Sequence, residues 1–216
     1  MEKFKAALKH SWIFFVYAAV GLIYEVVNRP WGEVRNISTA LDANIPFIKE
    51  FIIPYMSWHL FTVGCGIYLL FKDRRNYYKS MYSVIIGLII CYATYIVFQT
   101  TVPRPTVVGD DILSQFVRKM YSHDKPMNCF PSIHVYTTVL FTYFILITNR
   151  LKKYQIAMMV TWAVSIVLST LFVKQHVILD VVGACALVYA CVGLVNWFEA
   201  RNDVKINNTV ENEGQV

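Results

Sequence analysis

Charge is scarce in this chain. Only 16% of its 216 residues are Asp, Glu, Lys or Arg, while 56% are hydrophobic and the mean hydropathy is +0.46. That composition argues against an ordinary soluble domain and suits a chain that crosses a membrane several times. No CxxC pair occurs among the five cysteines, which weakens zinc and dithiol redox readings. Cys65, Cys91, Cys185 and Cys191 lie in apolar runs and read as small buried residues; only Cys129 lies in a loop. H-E-x-x-H and similar ligand spacings are absent, so no metal site is expected. There is no basic stripe interleaved with exposed aromatics, so the net charge of +6 points to cytoplasmic loops and anionic lipid rather than nucleic acid. Lys3, Lys5 and Lys9 precede an apolar run from Trp12, but no clear A-x-A cleavage site follows. A retained first span is therefore expected, not a removed leader. No internal repeat or low-complexity tract is evident.

What is present is six apolar runs, each about the length needed to cross the hydrocarbon. They are Ser11–Val27, Phe51–Phe71, Met81–Val102, Ile133–Asn149, Tyr154–Val173 and Val177–Phe198. The expected fold is an all-α membrane protein: a six-span domain over residues 1–200 and a disordered cytoplasmic tail over 201–216. Lysine and arginine set the orientation. Twelve lie on the side that holds both termini and two short loops, and eight lie on the side with two long loops. The denser side is expected to be cytoplasmic, so both termini are inside. In the second long loop Ile112, Leu113, Phe116, Val117 and Met120 recur at helical spacing. They predict a short amphipathic helix, lying on the membrane surface or packed within the loop.

Three segments at the extracytoplasmic ends of these spans carry the chemistry. Ser169–Asp180 (STLFVKQHVILD) holds the only Lys, His and Asp between Tyr154 and Trp197. Charges at membrane depth are costly, which makes Lys174, His176 and Asp180 candidates for function. His176 and Asp180 are four apart and share a face if helical. A carboxylate on one ring nitrogen fixes the tautomer and frees the other to attack; a structural His–Asp pair is the alternative. Pro103-Arg104-Pro105 ends the third span around an arginine suited to gripping phosphate, or to snorkelling at the interface. Pro131-Ser132-Ile133-His134 opens the fourth span, where a helix N-terminus could receive an anion or could simply be capped. Topology places all three at one face. One arginine, one lysine, two histidines and an aspartate around two helix starts suit phosphoryl transfer.

These residues resemble the type 2 phosphatidic acid phosphatase superfamily, which includes lipid phosphate phosphatases and vanadium haloperoxidases. VFQTTVPRP matches the second half of that family's K-x-x-x-x-x-x-R-P, PSIH matches P-S-x-H, and STLFVKQHVILD matches S-R-x-x-x-x-x-H-x-x-x-D at its Ser, His and Asp. The resemblance implies metal-independent hydrolysis of a lipid phosphate at the extracytoplasmic face of the cell membrane, without a cofactor. His176 would become the phosphohistidine, Asp180 would orient it, His134 would protonate the leaving oxygen, and Arg104 and Ser132 would hold phosphate. Val97 and Thr170 stand where the family has lysine and arginine. Lys174 is in a position to replace one of these cations. The losses look like the inositol phosphorylceramide synthase branch, which makes a head-group transferase an alternative to a hydrolase. A non-catalytic lipid-binding or transport protein is a third reading.

Overall fold

The computed structural model describes residues 9–213, with side chains described to residue 202. Nine named α-helices account for most of the described residues: α1 (Trp12–Val27), α2 (Ala40–Ala43), α3 (Ile52–Met56), α4 (Trp58–Lys72), α5 (Arg74–Val97), α6 (Ile112–His123), α7 (Ile133–Ile147), α8 (Lys153–Phe172) and α9 (Ile178–Glu213). A single 3-10 turn, Lys49–Phe51, leads into α3. Among the described residues, four helical stretches are long and apolar enough to cross a membrane: Lys49–Lys72, Arg74–Val97, Lys153–Phe172 and Ile178–Asn202. The apolar helices Trp12–Val27 and Ile133–Ile147 are shorter. All six fall on the six apolar runs of the sequence. Lys3 and Lys5 of the expected basic N-terminus lie outside the described residues, as do residues 214–216 of the expected tail. The backbone of α9 continues through the earlier part of that tail.

Local chemistry sets the helix starts. Asp73 caps α5 by accepting from Asn76 N, and Asp111 caps α6 by accepting from Leu113 N and Ser114 N. Lys49 bonds the same Asp111 carboxylate at 2.6 Å, and this contact holds the carboxyl well below the usual range. The third span is displaced from its expected bounds. It starts at Arg74 because the Asp73 cap and buried Tyr77 and Ser80 carry the helix back, and it stops at Val97. Phe98 to Val102 leave the helix because buried Gln99 bonds Trp31 N, Arg29 O and Asn128 Oδ1, while Thr100–Thr101 pair with Arg35–Asn36. This two-residue parallel ladder, β1 (Arg35–Asn36) with β2 (Thr100–Thr101), is a minor addition to a mostly helical fold that agrees with the all-α expectation. It ties the first long loop to the end of α5.

Helix α7 is central, packed against α4, α5, α8 and α9, and α1 lies on α5. The core between them holds Phe61, Leu69, Met81, Val84, Tyr136, Leu140, Phe141, Phe144 and Ile166. Two glycines permit close approach. A Cβ at Gly87 would overlap the Tyr136 ring, and one at Gly183 would overlap Phe130. Tyr136 Oη donates to Ser83 O at 2.5 Å, so α5 and α7 meet through a polar bond as well as through packing. The amphipathic helix α6 forms as expected. Val117, Leu113 and Met120 pack on Ile52, Tyr55 and Val173, so it is the packed alternative that the contacts match.

Candidate active site

The connection from α8 to α9 presents the first histidine. The Thr170 carbonyl, in the last turn of α8, accepts from both Gln175 N and His176 N at 3.0 Å. Lys174 takes φ +53 to close this turn, in the left-handed region. His176 is only 7% exposed, and its Nδ1 meets Asp180 Oδ2 at 3.1 Å. The same oxygen accepts from Val177 N at 3.0 Å. Asp180 therefore meets the His176 ring, as the four-residue spacing predicts, and also accepts from the N–H that opens α9. Its second oxygen, Oδ1, is buried without a hydrogen-bond partner.

The second histidine stands across from the first. His134, in the first turn of α7, has its ring centroid 5.8 Å from that of His176. It is held between Tyr55 and Trp58, whose ring centroids are 4.7 and 4.3 Å away. Trp58 is fixed in turn by donating to Thr137 Oγ1 at 2.8 Å. Tyr95 Oη donates to Pro131 O at 2.6 Å, and Phe130 N donates to Thr100 Oγ1, so the entry to α7 is anchored to α5 and β2.

Arg104 follows β2 and reaches the same space. Its guanidinium donates to Tyr121 O, Asp124 O and Gln175 Oε1 and lies over the Tyr121 ring. Its Nε is buried with no partner. Burial lowers its pKa from the ordinary value, and Asp124 opposes that. The Asp124 carboxylate accepts from Tyr24 Oη at 2.5 Å and Tyr55 Oη at 3.3 Å. His134, His176, Arg104 and Asp124 all line one cavity of about 730 Å³, which runs down between α1, α4 and α5 past Tyr17, Val63 and Leu88.

Ser132 and Lys174 do not line that cavity, although Ser132 N donates to Asp180 O at 3.3 Å. Ser132 is fully buried, and its Oγ accepts from Val135 N as the α7 cap. Lys174 Nζ donates to the carbonyls of Ile45 at 2.5 Å and Asp42 at 3.1 Å. It lines a second cavity of about 160 Å³ that His176 also borders. Burial lowers the Lys174 ammonium from its ordinary value, against the pull of Asp42. The two positions that depart from the family pattern are also accounted for. Val97 is 81% exposed at the end of α5, and Thr170 is fully buried with Oγ1 turned back to Val167 O.

The structure adds residues that the sequence reading passed over. Asp42, from α2 in the first long loop, places Oδ1 2.8 Å from Ile178 N and Oδ2 2.7 Å from Thr39 N and 2.8 Å from Thr39 Oγ1. Burial alone would raise its carboxyl; the bonds from Thr39 and Ile178 and the charge of Lys174 outweigh that and hold it low. The start of α9 therefore differs from the expected open anion site, because Val177 and Ile178 already donate to carboxylates. The start of α7 keeps its first two N–H groups, which have no intrahelical acceptor. Asp124, Gln175, Tyr55 and Trp58 carried no spacing signal. Asp42 sits in the LDANIPF stretch, where a buried acid among apolar residues was the available clue.

Comparison with known proteins bears on this arrangement. The family model described as the PAP2 superfamily matches residues 98–203, the span that holds Arg104, His134, His176 and Asp180. No curated protein and no solved structure matches the chain.

Proposed function

Because the chain belongs to the PAP2 superfamily through residues 98–203, we propose that it hydrolyses a lipid phosphate by way of a phosphohistidine on His176. One observation carries this: a His176 ring oriented by Asp180 faces His134 at 5.8 Å in an apolar cavity that Arg104 also lines. A phosphoryl group between the rings can be within attack distance of one, about 3–3.5 Å, and within hydrogen-bond reach of the other, about 2.6–3.2 Å. His176 Nε2 attacks phosphorus, and the phosphorus–oxygen bond to the lipid breaks. The leaving oxygen takes its proton from His134, while Asp180 stabilises the growing imidazolium charge. His134 then removes a proton from water, which attacks the phosphohistidine and releases phosphate and free His176. Arg104 and the first-turn N–H groups of α7 stabilise the phosphoryl oxygens. Ser132 and Lys174 support the site through the scaffold, as cap and loop tie.

The cavity volume and its aromatic and aliphatic lower wall suit a lipid tail. Six spans, cytoplasmic termini and an extracytoplasmic site in the cell membrane complete the proposal, on the positive-inside bias. A second reading keeps the same phosphohistidine but passes the phosphoryl group to a lipid or polyol hydroxyl. Asp124 favours it, since a carboxylate beside the phosphate cavity suits an acceptor hydroxyl better than a phosphate oxygen. The test is a panel of lipid phosphates and pyrophosphates incubated with purified protein in EDTA. Phosphate release supports the hydrolase, and a new phosphodiester lipid supports the transferase. Lipids that stay intact, with or without added metals, would overturn both.

A further inference from the structure

The thiol of Cys129, a ring nitrogen of His176 and a carboxylate oxygen of Asp180 lie within 4.8 Å of one another. All three side chains are buried, with Cys129 3% and Asp180 0% exposed. One sulfur, one nitrogen and one oxygen donor form a ligand set that suits zinc, which takes Cys, His and carboxylate ligands at about 2.0–2.3 Å in a tetrahedral shell. The arrangement is not a cysteine alone. Asp180 Oδ1 is buried with no hydrogen-bond partner, so the carboxylate keeps one oxygen without the acceptor role that burial normally demands. Cys129 and His176 both line the large cavity, which supplies an entry path and an open fourth position for water or phosphate. Tetrahedral bonds of those lengths bring donors to about 3.6 Å from each other, so a shift of about 1 Å closes the shell.

We propose that Cys129, His176 and Asp180 form an inhibitory site for a thiophilic divalent cation, zinc or cadmium. Binding releases the thiol proton to solvent and places the sulfur, nitrogen and oxygen lone pairs on the metal, with no change of oxidation state. The cation then occupies the His176–Asp180 pair. Whichever ring nitrogen it takes, it either blocks the attacking position or breaks the bond to Asp180. Inhibition rests on the proposed role of His176; binding does not.

The test uses the full chain in detergent, stripped with EDTA and titrated with cadmium or zinc chloride. Cadmium is expected to give a thiolate charge-transfer band at one equivalent that is lost in Cys129→Ser and Cys129→Ala. The other four cysteines remain in both variants and control for adventitious binding. Zinc is expected to inhibit phosphate release, reversibly with EDTA, and the variants to resist it by more than about 100-fold. Losing even a group that merely orients a metal ligand weakens binding about 10–100-fold. A band that persists in both variants, or equal inhibition of wild type and variants, overturns the site. A Cys129-dependent band in a protein without phosphatase activity upholds the metal site and removes the hydrolase reading instead. If neither variant folds, cadmium X-ray absorption of the wild type decides: one sulfur with nitrogen or oxygen neighbours supports the site, and a shell without sulfur overturns it.

Discussion

Asp42→Asn tests how the first long loop governs the proposed nucleophile. The carboxylate accepts three bonds at 2.7–2.8 Å, from Thr39 N, Thr39 Oγ1 and Ile178 N. An amide has one acceptor oxygen, so the variant leaves at least one part-buried backbone N–H facing an NH₂ group. That omission costs about 1–3 kcal/mol. The surviving bonds also change from charge-assisted to neutral, for a total loss of about 2–4 kcal/mol. For a chain of this size that lowers the melting temperature by about 5–15 °C. The start of α9 sits two residues from His176, so turnover should fall with it even where the protein is still folded. The pH dependence has a definite sign. The folded Asp42 pKa is depressed, so its stabilisation is complete above the unfolded carboxylate value of about 3.9 and is lost as pH falls through the folded value. The gap between wild type and variant should therefore be full at neutral pH and narrow below about pH 4. Thermal melts in detergent at both pH values, paired with phosphate release at neutral pH, read both effects. A variant that melts and turns over like wild type at neutral pH would refute the reasoning.

His176→Ala should reduce phosphate release to background while melting within a few degrees of wild type; full release by this variant would remove the phosphohistidine mechanism. Lys174→Met should lower the melting temperature with KM little changed, because Nζ is bonded to the Asp42 and Ile45 carbonyls; a large rise in KM with unaltered melting would make it a phosphate ligand instead. Gly87→Ala forces a methyl into the Tyr136 ring and should destabilise by about 1–3 kcal/mol, measured by thermal unfolding; an unchanged melt would show that α5 and α7 can separate freely.

Much of this was legible in the residues. Apolar run length located the four helical stretches long and apolar enough to cross a membrane, because crossing imposes a length that few other structures share, and the shorter Trp12–Val27 and Ile133–Ile147 helices fall on apolar runs too. The His176–Asp180 spacing was legible for a similar reason: a four-residue interval has one main geometric meaning at a helix start. Lys174 was less legible. Its place beside His176 in sequence says nothing of where four methylenes carry the ammonium, and the left-handed turn sends it to the first loop. The β1–β2 ladder and the Asp42 cap arise from pairing across more than 60 residues, which local pattern does not encode. Asp124 depends on Tyr24, a hundred residues away, for its position.

The capped start of α9 has a kinetic consequence. With Val177 and Ile178 N–H groups committed to Asp180 and Asp42, that helix end offers little attraction to a free anion. Arg104 is then the one full positive charge among the proposed phosphate-binding groups, and it is already shared with the carbonyls of Tyr121 and Asp124. On the proposed mechanism the phosphoryl position itself, set apart from Lys119 and Lys125 elsewhere on the cavity lining, should hold inorganic phosphate weakly once its bond to His176 is broken. Product escape should therefore be fast, and added phosphate should be a poor inhibitor even when it accumulates beside the membrane.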